Sequence, residues 1–372
     1  MKTIGIVTID DYTNYGNRLQ NYALTKLLEA EGFRVINGIR VNTQQDYVIC
    51  SPGIIKMLAK ILVPYRLVKD RITPKPVKRS GLLEQREAGF VEFTNRYTSV
   101  LPPVVAPNHR KAMQIFNQYG IDCFVAGSDQ VWNPVFAGYA YEFLSFAPKN
   151  KRLSFAASIG VENIPAEKER RYRKYFKNMK YLSVREQRAV EIIKELTGRD
   201  ADLTLDPTLL LEPEQWQEAV KKPELDLESN YICTYFLGEA SEAVQCFAQE
   251  KGLPVYALNS EKCPELFILD PGEFLYMIQH AAYVLTDSFH AVAFAIKFHK
   301  EFYVFDRKES GMVNMFSRIE TITNRFHLEN RIQSRDSIVE EPPVEHWEEI
   351  DRELLMEKKR SIERLKFAME IS

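Results

Sequence analysis

Cysteine is scarce and poorly spaced for structural use. The 372 residues hold five, Cys50, Cys123, Cys233, Cys246 and Cys263, with no C-x-x-C pair and an odd total. That argues against a disulfide framework or a zinc site and for a reducing compartment, so the expected location is cytoplasmic. Long apolar runs are missing as well. None approaches the ~18 residues that a membrane-crossing helix needs, and Met1-Lys2-Thr3 passes straight into a strand pattern with no apolar leader. An excess of one charge is also absent: 49 Lys and Arg face 51 Asp and Glu, for a formal net charge of -2. That balance gives no global attraction to nucleic acid, and any anionic partner has to be met by a local basic patch. There is no internal repeat and no low-complexity tract.

What is present is an ordinary globular composition, 45% hydrophobic and 27% charged, in a chain longer than one core usually serves, so two domains are expected. Thr3 to Ile9 reads as a buried strand, Leu19 to Glu31 as an amphipathic helix ending at Gly32, and Phe33 to Ile36 as the next strand. The loop of this βαβ opening carries Asn14, Gly16, Asn17 and Arg18 at the mouth of the helix. It is neither G-x-G-x-x-G nor G-x-x-x-x-G-K-[ST], so no nucleotide is specified; the plainer reading is a turn capped by Asn14 or Asn17. Strands alternating with helices then recur along both halves. The predicted fold class is therefore α/β, with two Rossmann-like doubly wound domains facing a cleft: residues 1–180, residues 181–346, and a terminal helix over 347–372. Trp347, Ile350, Leu354, Leu355, Ile362, Leu365 and Phe367 are its candidate packing residues.

Three stretches carry candidate chemistry. Tyr283 to Thr286 reads as a strand followed by Asp287, Ser288, Phe289 and His290 and then a small, apolar helix. A helix start at a sheet's carboxyl edge can hold a phosphate or carboxylate, with His290 as the titratable neighbour; the alternative is that Asp287 or Ser288 simply caps a core helix. Ile121 to Ala126 runs as a strand into Gly127, Ser128, Asp129 and Gln130, whose hydrogen-bonding groups suit a polyol. Trp132 there could offer an apolar platform to a sugar ring, and Asp129 could act as a general base. Against this stand a capped turn and a core tryptophan. Arg185, at a strand-to-helix junction, suits a bidentate contact to a carboxylate or phosphate or a plain salt bridge, and Arg318 could reach an anion in the cleft. A basic segment near 52–80, with eight Lys and Arg between Lys56 and Arg79, suits an anionic membrane surface, its alternative being a solvated helix and loop.

Asn14-Tyr15-Gly16-Asn17 with Arg18 to Tyr22, Gly127 to Asn133, Ser183-Val184-Arg185-Glu186 with Asp206-Pro207-Thr208, and Thr286-Asp287-Ser288-Phe289-His290 occur in the order that resembles the polysaccharide pyruvyl transferase family. The resemblance spans most of the chain; one departure is Ala291, where the family usually has glycine. It implies a GT-B-like pair of domains with the terminal helix crossing back to the first, phosphoenolpyruvate as donor substrate, and a sugar acceptor, lipid-linked or free, that receives pyruvate as a cyclic ketal. No cofactor, metal or nucleic acid is implied. It places Arg185, Ser288, His290 and Arg318 on the donor, Asn14, Asn17, Arg18, Ser128, Gln130 and Trp132 at the acceptor or an anion, and His290 and Asp129 in catalysis. Membrane contact would be peripheral, at the inner face, through residues 56–79. A nucleotide-sugar glycosyltransferase and an inactive carbohydrate-binding relative are the competing readings.

Overall fold

The structure, a computed structural model, describes residues 1–43, 81–106, 108–306, 317–344 and 346–370. The basic segment near 52–80 lies outside these, so the expectation of membrane contact there is not addressed. Among the described residues no helix is long and apolar enough to cross a membrane.

The first half contains β1 (Thr3–Val7), β2 (Arg34–Ile36), β3 (Val41–Thr43), β4 (Val104–Ala106), β5 (Cys123–Ala126) and β6 (Arg152–Ser154). β2, β1, β5 and β6 form a parallel sheet in that order, and β3 and β4 form a parallel pair beside it. Parallel strands need crossover helices that cover both sheet faces, which is why they read as unbroken apolar runs; all five residues of β1 and all four of β5 are buried. β7 (Ser183–Val184) and β8 (Asp202–Leu203) pair in parallel. Ser154 N–H donates to Tyr181 O (3.2 Å), Ala157 N–H to Ser183 O (3.1 Å) and Arg185 N–H to Ala157 O (3.3 Å). β7 thus continues the first sheet system, and the division expected after residue 180 falls inside a hydrogen-bonded series rather than at its end.

β9 (Ile232–Tyr235), β10 (Val255–Ala257), β11 (Tyr283–Thr286), β12 (Glu301–Phe305) and β13 (Ile332–Gln333) make the second parallel sheet, in the order β10-β9-β11-β12-β13. The helix after β11, Phe289–Lys297, is buried at all nine positions. Its alanines explain this: small side chains let it pack closely on β11 and β12 and on the Pro271–Gln279 helix.

The helix Tyr15–Ala30 joins the halves. Asn14 caps its start by accepting from Asn17 N–H at 3.2 Å, the local outcome that a Asn-x-x-Asn spacing favours. Tyr15 then stacks on Phe274 (4.2 Å, 13°) and donates its hydroxyl to Leu269 O (2.9 Å). One apolar core consequently contains Ile4, Ile6 and Leu19 together with Cys233, Phe274 and Phe294. The terminal helix Trp347–Glu370 crosses from the second half to the first, with Arg325 paired to Glu353 at one end and Lys366 to Glu31 at the other (2.8 Å). Ile350, Leu354, Ile362 and Leu365 face inward, but Leu355 and Phe367 are exposed; the inward stripe passes through Ser361 and Ala368 instead.

Candidate functional site

Ser128 and Asp129 follow β5, Arg185 follows β7, Asp206 follows β8, Ser288 and His290 follow β11, and Asn17 lies in the first turn after β1. All stand at carboxyl ends of parallel strands, where an α/β sheet opens a crevice, and side chains from both sheets meet there in one buried polar cluster.

Asp129 has φ 71°, an unusual conformation for a residue with a Cβ. It is held by Ser158 and Val131 N–H groups donating to its carbonyl (2.9 and 2.8 Å), while its own Oδ1 accepts from Gln130 N–H (2.9 Å). Asn17 Nδ2 donates to Oδ2 at 2.9 Å, and Arg185 Nη2 stands 3.4 Å from Oδ1. Burial pushes this carboxyl up, but Arg185, followed by His290, the Asn17 hydrogen bond and Arg318, outweighs it and holds the group at about 2. Asp129 is therefore an ionised carboxylate near neutrality, the form from which a general base starts, though a weakly basic one. Its fixed negative charge is what the arrangement provides.

Arg185 is only 3% exposed. It donates to Asp206 Oδ2 and to Ser128 Oγ (3.3 Å), and its Nε lies 3.9 Å from Glu186. Burial works against its charge, but Asp206, Asp129 and Glu186 more than restore it. Its guanidinium also covers the Phe289 ring at 4.6 Å, with that of Arg318 at 5.8 Å from the same ring. Two cations from distant segments thus approach one aromatic side chain at the start of the Phe289–Lys297 helix.

His290 packs edge to edge with the first helix. A Cβ added at Gly16 would lie 1.9 Å from His290 Nδ1, so glycine is required for this approach. Nε2 is buried with no hydrogen-bond partner and stands 3.9 Å from Asp206 Oδ2. Burial lowers the imidazole to about 4, with Arg185 and Arg318 adding to the effect and Asp206 and Asp129 opposing it. Near neutrality the imidazole is therefore uncharged in these surroundings.

Asp206, to which the Asp206-Pro207-Thr208 motif gave no role, belongs to the same cluster. Oδ1 does cap the short helix, accepting from Thr208 N–H (3.0 Å) and Oγ1 (2.8 Å), but Oδ2 accepts from Ser128 Oγ (2.5 Å) and pairs with Arg185. Against its burial, Arg185 lowers its pKa. Glu186, the residue after Arg185, likewise has no role in the sequence motif. It is buried, with Oε1 accepting from Ser158 Oγ and Oε2 unpartnered, and burial raises its pKa despite Arg185.

The remaining candidates separate. Ser288 is buried and offers no side-chain cap; its N–H donates to Thr286 Oγ1 (3.0 Å). Asp287 accepts from Leu237 and Gly238 N–H groups (2.7 and 2.8 Å), fixing the loop after β9. Arg18 is buried, bonded to Ile9 O and Asn17 Oδ1, and lies 3.6 Å from Asp10 and over the Tyr12 ring, so it organises the first loop. Gln130 Oε1 accepts from Asn133 (2.7 Å). Trp132 is a correction: fully buried, parallel to Phe143 at 5.3 Å and donating Nε1–H to Glu142 O (3.2 Å), it presents no face to a sugar. A large ring beside an apolar cluster gains more from burial than from solvent. Ala291 is fully buried in the helix core.

A sequence profile described as polysaccharide pyruvyl transferase matches residues 14–309. A search of curated proteins finds no match. Solved structures similar to this chain include the UDP-GlcNAc 2-epimerase of Neisseria meningitidis bound to UDP-GlcNAc, at 11% identity over 98% of this chain and 99% of that one, with a TM-score of 0.44. The S. aureus MnaA-UDP structure is 12% identical over 99% and 91%, with a TM-score of 0.47. The glycosyltransferase SnogD of Streptomyces nogalater is 10% identical over 99% of each chain, with a TM-score of 0.39.

Proposed function

Because this chain belongs to the polysaccharide pyruvyl transferase family, we propose that it transfers pyruvate from phosphoenolpyruvate to two hydroxyls of one sugar residue, forming a cyclic ketal and releasing phosphate. The observation that carries the reading is the gathering of Arg185 and Arg318 about the Phe289 ring beside the unpartnered Nε2 of His290. A donor bearing a carboxylate and a phosphate needs cations on two sides and a proton source beside its methylene carbon.

Entry of such an anion supplies the charge that burial denies His290. Negative charge beside a buried imidazole favours its protonated form, so His290 takes up a proton with the donor and delivers it to the methylene carbon. Asp129 and Asp206, both held ionised, stabilise the positive charge that develops at the neighbouring carbon. One sugar hydroxyl adds there and loses its proton to the now neutral His290. The second hydroxyl displaces phosphate, its proton leaving with phosphate or through solvent. The pyruvyl methyl gains one proton overall.

The test is phosphate release from phosphoenolpyruvate with galactosyl, mannosyl and glucosyl acceptors, free and lipid-pyrophosphate-linked, with mass analysis of the sugar. A product heavier by one pyruvyl ketal is expected. Thermal stabilisation by nucleotide sugars but not by phosphoenolpyruvate would overturn the reading and favour glycosyl transfer.

A further inference from the structure

Trp132 is sealed in the core, yet the loop that it anchors presents other rings to solvent. Between β5 and β6, Val135, Phe136 and Tyr139 are exposed, and the Tyr139 and Tyr141 rings lie 6.3 Å apart with an interplanar angle of 9°. The loop is held rather than loose. Gly138, at φ 77°, donates its N–H to Val131 O (3.1 Å), and a Cβ there would lie 1.9 Å from the Tyr172 hydroxyl. Glu142, buried beneath, accepts from Tyr139 N–H (2.6 Å) and the Tyr141 hydroxyl (3.2 Å). Ile9 of the first loop and Tyr141 pack against the same apolar cluster, and Asp10 and Arg40 both act electrostatically on Tyr141 and on Tyr12, so the first loop lies on the same side of the core as these rings. From there a continuous chain of contacts leads inward: Asp10 to Arg18 (3.6 Å), Arg18 to Asn17 (3.0 Å), Asn17 to Asp129 (2.9 Å).

We infer that Tyr139 and Tyr141, with Tyr12, Asp10 and Arg40 beside them, form a subsite for a pyranose ring of the acceptor saccharide, outside the buried cluster. A pyranose has an apolar face of C–H groups and a rim of hydroxyls; parallel tyrosine rings suit the face, and a carboxylate with a guanidinium suits the rim. The polar groups and the continuity with Asp129 favour a sugar over a lipid surface at this patch. Pre-ordering by Gly138 and Glu142 lowers the cost of holding the rings in place. The inference rests on the acceptor being a saccharide, as proposed above.

Saturation-transfer NMR with methyl glycosides of galactose, glucose, mannose and N-acetylglucosamine tests it, run beside thermal-shift titration with phosphoenolpyruvate. At least one glycoside is expected to bind the full chain, to weaken about tenfold in Tyr139→Ala, the scale of one aromatic contact, and to recover in Tyr139→Phe. Phosphoenolpyruvate binding should be equal in all three proteins. Unchanged glycoside binding in Tyr139→Ala, or no glycoside binding at all, overturns the subsite; so does Tyr139-dependent binding to phosphatidylglycerol vesicles in place of sugar. Tyr139-dependent sugar binding without any phosphoenolpyruvate binding would uphold the subsite and remove the donor assignment.

Discussion

Two buried groups, His290 in the polar cluster and Glu142 beneath the Tyr139 loop, titrate in opposite senses, and the pH dependence of folding separates them. His290 falls from 6.5 to about 4 on folding, because burial disfavours the imidazolium. Glu142 rises from 4.5 to about 7, because burial of its carboxylate outweighs the hydrogen bonds from Tyr139 and Tyr141. For His290 the unfolded chain binds the extra proton between these values, so its contribution is intact above the unfolded pKa and is lost as pH falls towards 4. For Glu142 the folded chain binds the extra proton, so its contribution is present below 4.5 and is lost as pH rises through 7. Each shift corresponds to roughly 3 kcal/mol in full, and acidification from about pH 7 to about pH 5 realises about 2 kcal/mol of each, with opposite signs. Urea unfolding of wild type, His290→Gln and Glu142→Gln at the two pH values measures this. Relative to wild type, His290→Gln should gain about 2 kcal/mol on acidification and Glu142→Gln should lose about 2 kcal/mol. Glutamine keeps the acceptor for Tyr139 N–H at position 142, so the comparison isolates charge. Identical pH dependence in all three proteins would refute the burial argument for both groups.

Gly16→Ala should displace the His290 ring, since the added methyl would sit 1.9 Å from Nδ1. A stability loss of about 1–3 kcal/mol is expected, together with weaker phosphoenolpyruvate binding by titration; unchanged values of both would show that the helix and ring are not in contact. Trp132→Ala should cost about 3–5 kcal/mol in denaturant unfolding while leaving the acceptor KM of the folded protein unchanged. A raised KM with intact stability would return Trp132 to the sugar site.

The alternation of short apolar strands with amphipathic helices determined the α/β class and the parallel sheets, because burial on both faces imposes continuous apolar runs that survive in one dimension. The motifs also placed Asp129, Arg185 and His290 at strand ends, since a polar cluster after such a run has only the sheet edge to occupy. Tertiary structure decided everything that depends on who meets whom. Asp206 joins the site only because Arg185, Ser128 and His290 converge on its second oxygen. That Asp129 is a fixed anion and His290 an uncharged ring is likewise tertiary, because desolvation and Coulomb interactions depend on distances between segments far apart in sequence. Trp132 went inward for the same reason: a ring's burial is set by neighbours such as Phe143 and Phe176, which no local pattern places. The unit boundary moved past residue 180 because backbone hydrogen bonds of β7, not a change in composition, join it to the first sheet system.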